Sequence, residues 1–340
     1  MGKFFEIKEF IEEYPNHLIH CVIGARGVGK SYSTKRLIIQ EFLEYGKQAL
    51  ILRRYKNQAE SMATTYFTDV LQKEFPTVEY ELKGDMGFIN GEPFCLFTGL
   101  NGNSLAKGSS FPNVYYIIYE EVMPEPGEKI IKDEYKKLES IIVTVDRFED
   151  RIEVICVGNN TSYYNPIFDT LKLYPSTKPN RVVKNELMAI KTLETPKEFK
   201  EYALNSKVGK LTVMSGSSRY NIDNENISND RFNVCSKKEL WDTDKLEPVF
   251  KVRVDVDKVI KIWKCQSDTM FYYWVDNHNK GKCDEYFLDL DYQTDENKHI
   301  SLCNKGLINR INFNNKVGAV FFNNAETKFY FNQIGLFFKK

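Results

Sequence analysis

The stretch VIGARGVGKSYS, starting at Val22, limits what this chain can fold into more than any other feature. It holds the pattern G-x-x-x-x-G-K-[ST] in full, as Gly24, Ala25, Arg26, Gly27, Val28, Gly29, Lys30 and Ser31. The three glycines let the backbone curl so that its N–H groups point at phosphate oxygens, and a following helix adds its positive end. Lys30 is placed to reach the β- and γ-phosphates of a nucleotide, and Ser31 to ligate Mg²⁺. The context agrees with the chemistry. HLIHCVIG (17–24) is a short apolar run suited to a buried strand, and KSYSTKRLIIQEFLEYG (30–46) has helical period and stops at Gly46. A strand, a glycine loop, a helix and a second strand (48–56) begin a parallel α/β sheet. Arg26 either faces phosphates or an acid, or is a surface arginine.

A phosphate loop of this kind needs a second strand that brings carboxylate to the metal. YYIIYEEV supplies apolar residues from Tyr116 to Tyr119, then Glu120 and Glu121. Glu120 is expected to hold Mg²⁺ and Glu121 to polarise the attacking water. The usual first acid is Asp, one methylene shorter, and the bland alternative is a solvated acid pair at a strand end. A water-activating base favours an ATPase over a small-molecule kinase. Guanine recognition calls for Asn/Thr-Lys-x-Asp, which the sequence lacks, so ATP is the expected nucleotide. The basic run RRYK (53–56) ends the second strand, at the edge where parallel sheets place their sites. Lys107 and Arg147 sit at polar positions before and after the acidic strand. Such residues either reach a neighbouring subunit's γ-phosphate or are solvated side chains.

Elsewhere, 4–14, 64–75 and 134–147 have helical period, 80–100 reads as small antiparallel strands turning at Asn90, and 151–160 is a further core strand. Residues 205–233 turn to Ser, Asn, Gly and Asp and read as a linker. Beyond it the texture is β, with VIKIWKCQS (259–267) as the expected first core strand and NHNKGKC as a hairpin turn. Lys+Arg and Asp+Glu balance at 47 each, so nucleic-acid affinity must come from a local patch. The seven scattered cysteines, an odd count, and the four histidines have neither disulfide nor zinc spacing, which suits a reducing compartment. No run is apolar enough to span a bilayer, the start MGKFFEIKEF has no signal-type apolar block, and Glu6 stands where a myristoylation signal wants Ser or Thr. A soluble intracellular protein without membrane contact is expected.

The pieces VIGARGVGKSY, RRYK, FPNV, TVDR and ICVGNN, in this order over the first ~200 residues, resemble the DNA-packaging ATPases of phi29-like bacteriophages. The resemblance implies an α/β fold: an additional-strand, catalytic-glutamate (RecA/FtsK-like) P-loop NTPase domain and a smaller α+β C-terminal domain like a vestigial RNase H-like nuclease. The boundaries expected are 1–200, a linker at 201–232, and 233–340. It implies a homopentameric ring, docked in the host cytoplasm at the portal of a procapsid with a packaging RNA between, that drives double-stranded DNA inward on ATP and Mg²⁺. Lys30 and Ser31 match the phosphate and metal positions, Glu120 the metal acid and Glu121 the catalytic glutamate. Arg147 matches the trans-acting arginine finger, Lys56 and Lys107 basic residues of the subunit interface, and Asn159 the end of the motif coupling hydrolysis to movement. The C-terminal domain is expected to bind rather than cut, since 259–267 carries no acid. Asp255, Asp257, Asp276, Asp289 and Asp291 read mainly as turn solubility. Lys129, Lys132, Lys136 and Lys137 are a candidate DNA grip or an exposed helix face. Two rivals remain open: a monomeric P-loop phosphotransferase, and an ATP-gated portal-docking assembly protein.

Overall fold

In the computed structural model of the chain, the described residues are 5–102, 112–124, 128, 130–161, 165–176, 178–215, 218, 222, 233–255, 258–279, 281–288 and 290–337. Lys107, Lys129, Asp257 and Asp289 lie outside them, as does the side chain of Asp291. Two compact units divide the chain, Met1–Ile227 and Ser228–Lys340.

The first unit is built on a nine-stranded sheet. Its central strands are β1 (Ile19–Gly24), β2 (Gln48–Arg53), β5 (Glu92–Gly99), β6 (Val114–Glu120), β7 (Glu153–Asn159) and β9 (Met188–Thr192). They run parallel in the order β5-β2-β6-β7-β1-β9. Antiparallel strands extend both edges: β3 (Tyr80–Lys83) and β4 (Met86–Ile89) beyond β5, and β8 (Val182–Lys184) beyond β9. β1 is buried throughout because helices cover both faces, which is why its sequence is apolar rather than alternating. Val22, Ile51 and Ile118 belong to one core; Cys21, Ile23, Leu50 and Ile117 belong to the other. The first face carries α1 (Ile7–Glu13), α2 (Lys30–Tyr45), α3 (Lys56–Ala63) and α4 (Thr68–Glu74), and the second carries α5 (Glu134–Asp146) and α6 (Pro166–Thr170). α7 (Lys197–Asn205) and α8 (Lys207–Met214) follow the sheet.

The parallel strands end together, so Gly24, Arg53, Glu120 and Asn159 share one carboxyl edge, with Gly24 paired to Asn159 and Glu120 to Val157. The structure departs from the sequence reading at two points here. The strand expected over 48–56 stops at Arg53, and Lys56 starts α3. Gly99 permits that turn, since a Cβ there would stand 2.2 Å from the Lys56 nitrogen. The sixth parallel strand, β9, was not anticipated: its apolar run is only Met188–Ile190 before Lys191.

The second unit has a six-stranded sheet ordered β14-β13-β10-β11-β12-β15. These are β10 (Leu246–Arg253), β11 (Val259–Gln266), β12 (Phe271–Asp276), β13 (Glu285–Phe287), β14 (Lys298–His299) and β15 (Val320–Phe322). β10, β11 and β12 form an antiparallel meander, while β13 runs parallel to β10. Helices α9 (Lys305–Lys316) and α10 (Ala325–Phe337) contribute Ile308, Ile311 and Phe331 to its core, so the unit is α+β rather than all β. Residues 259–266 therefore form the second strand of this sheet, and the first, β10, is the preceding segment. NHNKGKC is not a hairpin turn, because it joins β12 to β13, which pairs with β10 and β14. Asp276 is buried and registers opposite Lys261, so it is not a solubilising turn residue.

Candidate active site

At the carboxyl edge of the first sheet lies a cavity of about 660 Å³, lined by the glycine loop, Glu120, Glu121 and Asn159. Gly27 and Gly29 take positive φ (80° and 94°), and Gly29 caps α2, so the loop curls immediately before the helix begins. Phe199 of α7 closes on the loop from outside: a Cβ at Gly27 would sit 2.5 Å from its Cζ. Ala25 and Val28 are buried beneath the loop, and Arg26 lines the cavity.

Lys30 is buried, its Nζ donating to the carbonyls of Gly24 (2.9 Å) and Ala25 (2.5 Å) and lying 3.5 Å from Asn159 Oδ1. Burial pushes its pKa down to about 8; Arg26 adds to the fall and Glu120 opposes it. The ammonium is therefore poorly compensated, and it lies where a polyphosphate would compensate it.

Ser31 donates to Glu120 Oε2 at 3.0 Å, and Tyr66 donates to Glu120 Oε1 at 2.6 Å. Burial holds the Glu120 carboxyl above its ordinary range, against the two hydrogen bonds and the nearby Lys35 and Arg53 cations. Tyr66 stays a neutral donor, because burial and Glu120 raise its own pKa. Lys35, itself buried, ties Tyr66 in place through its carbonyl (2.9 Å) and pairs with Asp69 (2.6 Å). The extra methylene of Glu120 is thus accommodated: one oxygen is anchored by Tyr66 while the other reaches the Ser31 hydroxyl.

Glu121 follows in the left-handed conformation (φ 55°), which carries its side chain off the strand and into the cavity. Its Oε2 pairs with Nη2 of Arg53, at the end of the adjacent strand β2. RRYK marked this edge in the sequence, but a partner for Glu121 could not be read there. It follows from β2 lying beside β6.

Two of the other sequence candidates stand elsewhere. Lys56 pairs with Asp85 (3.0 Å) and Glu60 (3.4 Å) rather than lining the cavity. Arg147 is the exposed C-cap of α5 (φ 56°), and the 13 residues of that helix carry it about 20 Å from Glu134. Lys107 falls outside the described residues. Of the proposed DNA grip, Lys132 and Lys136 are exposed and Lys137 half-buried at the start of α5, with Lys136 3.4 Å from Asp133.

A family model for the Podovirus DNA encapsidation protein (Gp16) matches residues 3–333. The chain belongs to that family. The DNA packaging protein of Bacillus phage phi29 is 31% identical over 215 residues, 62% of this chain and 63% of that protein. The alignment thus spans less than two thirds of that relative's length. A crystal structure of the N-terminal domain of the DNA packaging ATPase from bacteriophage phi29 superposes with a TM-score of 0.51 at 31% identity, covering 57% of this chain and 96% of that domain. The phi29 viral genome packaging motor assembly contains a chain that matches 97% of this encapsidation-family protein and 99% of itself, with a TM-score of 0.63 at 22% identity, a likeness of fold.

Proposed function

We propose that this protein is an Mg²⁺-dependent ATPase that drives double-stranded viral DNA into a procapsid. The observation that carries the proposal is the meeting of Lys30, Ser31, Glu120 and Glu121 in one cavity, with Ser31 bonded to Glu120 although β7 separates their strands. One strand between the phosphate-loop strand and the acidic strand is the mark of additional-strand, catalytic-glutamate P-loop folds, and it supports that assignment.

In this reading the loop amides and Lys30 hold the β- and γ-phosphates. The Ser31 hydroxyl and Glu120 carboxylate are hard oxygen donors, as Mg²⁺ requires, and they would hold it. Bound there, Mg²⁺ neutralises charge on the phosphates. Glu121 orients the attacking water and takes its proton. Arg53 occupies its Oε2 within the cavity, so in this reading that contact loosens in each turnover. Arg147, carried far from its own site by α5, acts on a neighbouring subunit in a ring. Lys56 and Lys107 contribute to the same subunit interface. Membership of the encapsidation family supports a homopentamer docked at the portal of a procapsid, with a packaging RNA between.

The second unit is proposed to be an RNase H-like domain without cleavage. Five of its six strands, in the order β14-β13-β10-β11-β12, follow the order 5-4-1-2-3 of that fold, with β15 added beyond β12, and this supports the reading. Two-metal cleavage needs acids free to bind metal at the sheet centre, whereas β10 and β11 carry Lys251, Arg253 and Lys261 there, and of the nearby acids Glu285 pairs with Arg253 and Asp276 stands opposite Lys261. Nuclease activity is not expected.

The test is ATP hydrolysis with and without duplex DNA at several protein concentrations. Stimulation by DNA that grows with assembly is expected. Equal turnover without DNA at all concentrations would favour a phosphotransferase, and binding without turnover an assembly switch. Glu121→Gln should keep nucleotide affinity and lose hydrolysis.

A further inference from the structure

Two consecutive arginines, the last residue of β2 and the one after it, divide between them the side chain and the backbone of the Glu121 turn. Arg53 takes the carboxylate. Arg54, in the bend just past the strand, turns toward α5 instead and is 1% exposed. Its Nε donates to Glu134 Oε2 at 2.9 Å and its Nη2 to Glu134 Oε1 at 3.1 Å and to the carbonyl of Val122 at 2.7 Å. Nη1 lies 3.0 Å from Glu128 Oε2. Glu134 is also buried and accepts from Tyr119 OH at 2.7 Å.

A buried ion pair is weak evidence for stability, because desolvating two charges offsets most of their attraction. What this pair provides is geometry. The strand ladder of β6 ends at Glu120, and Glu121 adopts a backbone conformation that costs a residue with a Cβ about 1 kcal/mol or more. The peptide that follows Glu121 keeps one bond to β7, and the peptide after that is held by side chains. The Val122 carbonyl accepts from Arg54 and from Asn165 Nδ2 (2.6 Å), and the Val122 N–H donates to the Val157 carbonyl (3.0 Å). The same guanidinium grips Glu134, in the first turn of α5.

We propose that Arg54 is a positioning residue for the hydrolytic step: it pins the Val122 carbonyl, one residue beyond Glu121, and so fixes the left-handed turn that aims Glu121. The proposal rests on Glu121 being the group that aligns water. Lysine in place of Arg54 keeps the charge but offers a single nitrogen, which cannot serve Glu134 and Val122 with the planar fork of arginine.

The experiment is a double-mutant cycle on the full chain, reading kcat, KM and the affinity for a non-hydrolysable ATP analogue with Mg²⁺. Arg54→Lys should lower kcat about 10- to 100-fold, the scale set by misplacing a catalytic group by around 1 Å, with analogue affinity held within about threefold. In the Glu121→Gln background the same change should alter the residual rate by less than about threefold, because the group it aims is gone. An unchanged kcat, an equal loss in both backgrounds, or a loss of analogue affinity matching the loss of kcat would overturn the proposal. Should Arg54→Lys fail to fold, Asn165→Ser decides. It keeps a capping oxygen for α6 while removing the second donor to Val122, and the same drop in kcat confined to the Glu121 background is expected. Wild-type protein that neither binds the analogue nor hydrolyses ATP would instead refute the ATPase reading itself.

Discussion

Binding of MgATP should draw protons from solution near pH 8, and the buried state of Lys30 sets how many. Its ammonium is desolvated and titrates at about 8, whereas beside a triphosphate the charged form is favoured and its pKa returns toward that of an ordinary lysine. Binding then takes up the proton that free protein has lost: about a tenth of a proton at pH 7, a half at pH 8 and nine tenths at pH 9. Affinity falls as pH rises through 8, by about tenfold between pH 7 and 9, or about 1.4 kcal/mol. The triphosphate is fully ionised across the upper part of this range and adds little of its own. Titration calorimetry in two buffers of different ionisation enthalpy reads the uptake directly. Arg26→Ala should move the fall to higher pH, since Arg26 helps to push Lys30 down. Equal apparent enthalpies in both buffers at pH 8, or an affinity that stays flat to pH 9, would refute the reasoning.

Gly27→Ala should weaken nucleotide affinity at least about tenfold, because it meets both a left-handed backbone and the Phe199 ring. Adding Phe199→Ala should restore only part of the loss, since the backbone cost remains; calorimetry on both variants checks this. Tyr66→Phe removes the 2.6 Å bond that anchors Glu120. The Mg²⁺ concentration for half-maximal hydrolysis should rise severalfold while metal-free nucleotide affinity holds, and an unmoved Mg²⁺ curve would show that Ser31 alone suffices. Subunits carrying Arg147→Ala mixed with subunits carrying Glu121→Gln should recover part of the ATPase rate that each lacks alone; no recovery at any ratio would place Arg147 outside the neighbour's site.

The phosphate loop was legible because its chemistry is local. Gly24 to Ser31 form one turn, and the residues that shape it are neighbours in sequence. β6 was legible for a related reason: a strand buried on both faces must be apolar until it ends, so Glu120 and Glu121 marked its exit. β9 escaped notice because its apolar run is too short to register without its neighbour β1. In the second unit the β texture was visible, but strand order was not, since register and partner choice are not encoded in any one strand.

Sequence by itself determined that a glycine loop shaped for phosphate stands at the end of a buried strand and that a pair of acids ends another. Those follow from short-range backbone geometry and from the cost of burying polar groups. Only the tertiary structure decided that Arg53 would face Glu121 and that Arg54 would hold the carbonyl of the residue after it. It also decided that Lys56 would turn to Asp85, away from the phosphate cavity. Those pairings join positions dozens of residues apart, and which side chains meet depends on strand order, which is fixed by packing across the whole sheet.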